Sequence, residues 1–96
     1  MAAFQADIPP HVAESIRHLP PVLKRSVKAA LQALGRDPGL GEPLQRELKG
    51  LWKYRVRRFR IVYSVDRARH LLRVFGVGPR REIYEAVAAD LLRGRA

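Results

Sequence analysis

Apolar positions along the chain repeat first at helical and then at strand spacing. Val12, Ile16 and Leu19 recur at helical intervals behind Pro9 and Pro10, which suit a helix start. Pro20-Pro21 closes that helix and opens a second. Leu23, Val27, Ala30, Leu31 and Leu34 form its stripe, Lys24, Arg25 and Lys28 fall elsewhere on its surface, and Gly35 is placed to cap its C-terminus. The two make a helical hairpin. Residues 36–43 are dense in Gly and Pro and read as a loop. From residue 52 the period drops to two, predicting strands over about 52–57, 59–65 and 70–77, with a turn at 66–69 between the last two. Short connections imply antiparallel pairing. Gly78-Pro79 breaks the last strand, and Ile83, Val87 and Leu91 mark a C-terminal helix that stops near Gly94. Residues 3–7 suit a short edge strand. The sum is one α+β domain over residues 1–96. In it an N-terminal helical hairpin, preceded by the short edge strand, packs on an antiparallel sheet of three to four strands, with a C-terminal helix and all helices on one sheet face.

The strands are unusual in what alternates with the apolar residues. Residues 49–81 hold eleven of the chain's nineteen Lys and Arg and a single acid, Asp66. Trp52, Tyr54 and Val56 share one side of the first strand, while Lys53, Arg55 and Arg57 share the other. On the next strand Arg60 is a lone cation among Phe59, Ile61, Val62 and Tyr63. It is either paired with a carboxylate or directed into a groove, and Arg73 on the third strand poses the same choice. Arg80 and Arg81 follow that strand, where a loop can aim them over the sheet. Trp52, Phe59 and Phe75 suit the core better than a stacking platform, whereas Tyr84, a helical turn past Arg80, suits either core or site.

A net charge of +10 on 96 residues favours a polyanionic or acidic partner. A folded cationic face of this kind suits the phosphates of RNA or DNA. The absence of cysteine excludes disulfides and fits a cytoplasmic setting. The first residues lack the basic-then-apolar pattern of a secretion signal, and no apolar run is long enough for a membrane span. His11, His18 and His70 are scattered without metal-ligand spacing, no phosphate-binding Gly-rich loop is present, and Ser15, Ser26 and Ser64 have no activating context. No cofactor, metal or small-molecule ligand is expected. What remains is phosphate chemistry run by cations. The RNA 2′-OH is its own nucleophile, Arg forks onto phosphate oxygens, and Lys53, crowded by Arg55 and Arg57, is a candidate base because like charge disfavours its protonated form. A solvated Lys53 is the competing reading.

Four segments carry a family resemblance: Glu42-Pro43-Leu44, Leu48 through Val56, Phe59-Arg60-Ile61-Val62-Tyr63, and Val77 through Tyr84. In these the chain resembles the RelE/ParE superfamily of toxins from toxin–antitoxin pairs. For the RelE branch the resemblance implies a metal-independent, ribosome-dependent endoribonuclease. Such a toxin cuts mRNA in the ribosomal A site and is neutralised by a cognate antitoxin. Carried over by motif, the catalytic positions fall on Lys53, Arg55, Arg60, Arg80 and Tyr84. Lys53 would be base or phosphate ligand, Arg60 and Arg80 would stabilise the phosphorane, and Tyr84 would stack on or orient a base. Lys49, Arg57, Arg58 and Arg81 are expected to bind RNA. Glu42 matches the glutamate of the YoeB-like branch and is a candidate general base. The chain departs from the pattern at Pro79, where many relatives carry histidine, in lacking a C-terminal histidine, and at Arg57, which replaces a turn glycine and suggests a different or tighter hairpin. Two other readings share the fold: a ParE-like inhibitor of DNA gyrase without nuclease activity, and a nucleic-acid-binding module without catalysis. For either toxin reading the antitoxin is expected to be acidic and to contribute a helix.

Overall fold

The computed structural model describes residues 3–94. Strand β1 (Gln5–Asp7) leads into helices α1 (Pro10–Arg17) and α2 (Pro21–Arg36), both begun by proline as expected. Strand β2 (Glu42–Pro43) precedes the meander β3 (Trp52–Val56), β4 (Phe59–Asp66) and β5 (Leu71–Pro79), and α3 (Arg80–Leu92) closes the chain. The α+β class is as the periodicity predicts. The sheet is larger than expected, with five strands in the order β1-β5-β4-β3-β2. One of them escapes the pattern: β2 has only two residues inside the Gly/Pro-rich stretch. β1 is the expected edge strand, and it pairs parallel to β5 from the far end of the chain.

The helices do not share a face. α1 and α2 cover one side, where Val12, Ile16, Val27, Leu31 and Leu34 meet Val56, Ile61, Tyr63, Leu72 and Val74. α3 covers the other, where Ile83 and Val87 meet Val62, Leu48 and Leu51. The reason is written in β4: Ile61, Val62 and Tyr63 are consecutive and all 0% exposed, which only a strand buried on both faces allows. A bulge opposite Val62/Tyr63 helps. Val62 pairs with Gly76 and Tyr63 with Val74, leaving Phe75 as the extra residue. The alternation of β5 thereby shifts by one. Val74 and Val77 both face the hairpin, while Gly76 and Gly78 lie beneath α3, where an added Cβ would meet Ile83 at 2.6 and 3.3 Å respectively.

Two glycine expectations change. Gly35 is buried inside α2 rather than capping it, and its missing side chain admits the carbonyl of Phe4, 2.9 Å from where a Cβ would sit. Gly78-Pro79 does not break β5; the strand runs through Pro79, which pairs with Phe59 and caps α3 directly.

Candidate functional site

The ladder sets the site. Residues directly opposite on neighbouring strands share a face, so Arg55, Arg60 and Gly78 form one row across β3, β4 and β5 on the α3 side. Glu42, Lys53, Val62 and Gly76 form the parallel row two residues inward. Arg80 begins α3 two residues after Gly78, at the same end of the sheet as Arg55 and Arg60. No loop aims it: Arg80 and Arg81 are exposed residues of the helix's first turn. Two cations at the positive end of a helix dipole are mutually unfavourable, a strain that an anion relieves.

Arg60 is not in an ion pair. Its guanidinium donates to the carbonyl of Phe59 at 3.0 Å and reaches that of Arg57 at 3.5 Å, while Arg55 Nε donates to the same Arg57 carbonyl at 3.2 Å. The β3–β4 turn thus gathers both side chains while leaving their charge uncompensated. Among the described residues none of Arg55, Arg60, Arg80 and Arg81 is bridged to a carboxylate. Arg73 takes the other branch of the same choice, lying 3.9 Å from Asp7 and 3.8 Å from Asp66. Arg57 does not extend the Lys53/Arg55 face. It sits in the two-residue turn with φ 56°, supplying the left-handed conformation a glycine would otherwise provide, so the hairpin is tight, as its sequence suggests. Arg58 is exposed beside it, near Val22 and Leu23 of α2. Lys49 is exposed before β3 begins, at the strand end away from Arg55.

In the inner row, Lys53 Nζ lies 3.9 Å from Glu42 Oε1 and 6.0 Å from the centre of the Tyr84 ring. The expectation of a lysine crowded by arginines therefore needs correcting: its nearest ionic partner is a carboxylate, because β2 pairs Glu42 directly with it. Tyr84 is half-buried against the α3-side core, and its hydroxyl is buried without a hydrogen-bond partner.

Sequence reasoning missed the residue that places Glu42. Tyr63 is fully buried, donates to the Pro38 carbonyl at 2.7 Å and accepts from the Gly41 N–H at 3.2 Å. It clips the 38–41 segment to the sheet immediately before β2. Gly41 is obligatory there, since a Cβ would collide with the Tyr63 hydroxyl and the Lys53 carbonyl. Burial, opposed by the Gly41 hydrogen bond and aided by Asp37, pushes the Tyr63 phenol up to about 12. No local signal marks it, because its partners lie 22 and 25 residues away.

The geometry defines a small α+β domain with an uncompensated arginine row and a Lys–Glu–Tyr cluster beside it. Residues 7–84 match the family described as the ParE toxin of type II toxin–antitoxin systems, parDE. The chain belongs to that family, within the RelE/ParE superfamily of toxins. No curated protein matches it. Among solved structures, it is similar to the RelBE2 toxin–antitoxin complex of Mycobacterium tuberculosis, at 26% identity and a TM-score of 0.75, covering 83% of this chain and 94% of that one. It is similar to a mutant of the E. coli toxin RelE in the free state, at 20% identity and a TM-score of 0.75 over 100% of both chains. A third likeness is to the YoeB–YefM complex of Staphylococcus aureus, at 18% identity and a TM-score of 0.68, covering 82% and 99%. The latter two speak to the fold alone.

Among the described residues no group of His, Asp and Glu could hold a metal, and no helix is long and apolar enough to cross a membrane.

Proposed function

We propose that this toxin is a ribosome-dependent endoribonuclease that inhibits translation by cutting mRNA in the A site without metal. The observation that carries the reading is the outer row. Arg55 and Arg60 are cross-strand partners beside the start of α3, and their charges are free for a phosphate. In the reaction, the ribose 2′-oxygen bonds to the adjacent phosphorus as the bond to the 5′-oxygen breaks. The 2′-proton passes to the Glu42 carboxylate, Lys53 binds the phosphate as a cation, and the leaving 5′-oxygen takes its proton from water. Arg60 and Arg80 hold the non-bridging oxygens as charge builds. Tyr84, beneath Lys53, orients the base, and Lys49, Arg57, Arg58 and Arg81 contact the strand on either side. The neutralising partner is an acidic antitoxin. RelBE2 is itself a toxin–antitoxin complex.

The test is cleavage of message on programmed ribosomes. Arg60→Ala and Arg80→Ala each lower the cleavage rate about 100- to 1000-fold, the magnitude of one lost transition-state donor, with unchanged chemical-denaturation midpoints. The match to the ParE family favours a second reading, inhibition of DNA gyrase without nuclease activity. Intact message together with blocked gyrase supercoiling establishes that one.

A further inference from the structure

At the opposite end of the sheet, roughly 23 Å along β4 from Arg60, lies a second cationic hollow that the proposed reaction does not use. It encloses about 540 Å³ and is lined by Phe4, Arg36, Asp37, Arg67 and His70 among others. Its floor is a pair of parallel rings: Phe4 and His70 stack with centroids 4.7 Å apart and planes within 6°. Both rings are fixed from the backbone. The Phe4 N–H donates to the Gly35 carbonyl at 2.7 Å, and the Gln5 N–H donates to the His70 carbonyl at 2.9 Å. His70 holds φ 55°, a left-handed conformation that histidine rarely adopts, and its ring is exposed.

The cations around the rings are free. Among the described residues neither Arg36 nor Arg67 is bridged to a carboxylate, and the Asp37 side chain is turned to the Gly39 N–H at 3.1 Å. The charge continues away from the hollow: Lys28 lies two helical turns before Arg36 on the same face of α2 and lines the adjoining cavity with it. An exposed aromatic face flanked by unpaired arginines is the arrangement that takes a stacked base with a phosphate on either side.

We infer that this hollow is a second, non-catalytic RNA-binding site, in which one unpaired base stacks on His70 and its flanking phosphates meet Arg36 and Arg67. The inference rests on the reading that the toxin acts on RNA, but not on the chemistry of the Arg60 end. A site of this kind would hold ribosomal or messenger RNA while the other end of the sheet engages the scissile bond. The stacking pair is what favours RNA over an acidic protein segment, which would use the arginines and leave the ring idle.

The experiment measures binding of the full chain to a fluorescent single-stranded RNA of twelve nucleotides across a salt series. His70→Gly removes the ring while easing the backbone, so the fold is preserved. It weakens binding about tenfold, in line with one lost base–aromatic stack. The double variant Arg36→Gln/Arg67→Gln lowers the slope of log affinity against log salt by about 1.4, for two phosphates released. Wild-type affinity and slope in both variants overturn the inference and leave the nuclease reading intact. Failure of the wild-type chain to bind this RNA overturns the inference alone, because the ribosome-dependent reading is decided separately by cleavage on programmed ribosomes. A glutamate-rich helical peptide that loses affinity with the arginine variant, while His70→Gly changes nothing for RNA, assigns the hollow to an acidic protein and overturns it too.

Discussion

The two faces of the sheet are built to different depths. Among the described residues, the hairpin face buries twelve in one cluster drawn from both helices and three strands, whereas the α3 face buries five. The deep face holds most of the buried apolar core. The shallow one carries the arginine row, Lys53, Glu42 and Tyr84, because cations without a carboxylate partner cannot sit within a thick apolar layer. The division teaches that stability and chemistry are separable here by face, and substitutions can test how cleanly.

The largest effect should come from the deep face. Leu34→Ala, at a fully buried position, lowers unfolding free energy by about 3–4 kcal/mol in urea titration. Next is the Tyr63 clamp. Its folded pKa, about 12, lies above the ordinary phenol value of 10.0, so the protonated form is the one the fold favours. The stabilisation is whole below pH 10 and is lost as pH rises toward 12, by on the order of 2–3 kcal/mol. Tyr63→Phe abolishes that alkaline loss and, by leaving the Gly41 N–H unsatisfied, costs about 1–2 kcal/mol at neutral pH. A stability curve for Tyr63→Phe that falls with pH like the wild type would contradict the assignment. On the shallow face, Val87→Ala costs about 1–2 kcal/mol and speeds amide exchange in α3 more than in α2. Uniform acceleration across both helices would show that the two faces do not open separately. The smallest change is Glu42→Gln. Its carboxylate is 78% exposed, so the Lys53 pair adds little, and stability moves by less than about 0.5 kcal/mol.

How much of this was legible in the sequence differs between the same two faces. The Val27–Leu31–Leu34 stripe reads directly as a buried helix, and the fold class follows from it and the period-two strands. The second face hides in the Ile61-Val62-Tyr63 run, which looks like simple alternation until both neighbours of each residue prove to be covered. The five-stranded sheet was out of reach for a related reason. β2 spans two residues in a loop-like composition, and although β1 reads as an edge strand, its parallel pairing with β5 joins residues more than sixty positions apart. In the site, motif alone names Lys53, Arg55, Arg60, Arg80 and Tyr84, and the ladder brings Arg55 level with Arg60 and sets Lys53 beside Tyr84. Strand alternation could not decide between Arg60 and Arg73, because only the fold reveals that Asp7 and Asp66 converge on Arg73 and not on Arg60.

The paired glycines of β5 have one more consequence. With no side chains at 76 and 78, α3 rests on bare strand backbone through Ile83 and Val87. One methyl at position 76 would act as a shim, tilting the helix outward and carrying Arg80 and Tyr84 with it. The gap between the helix and Lys53 is therefore gauged by an absence of atoms, and a single carbon at position 76 would widen it.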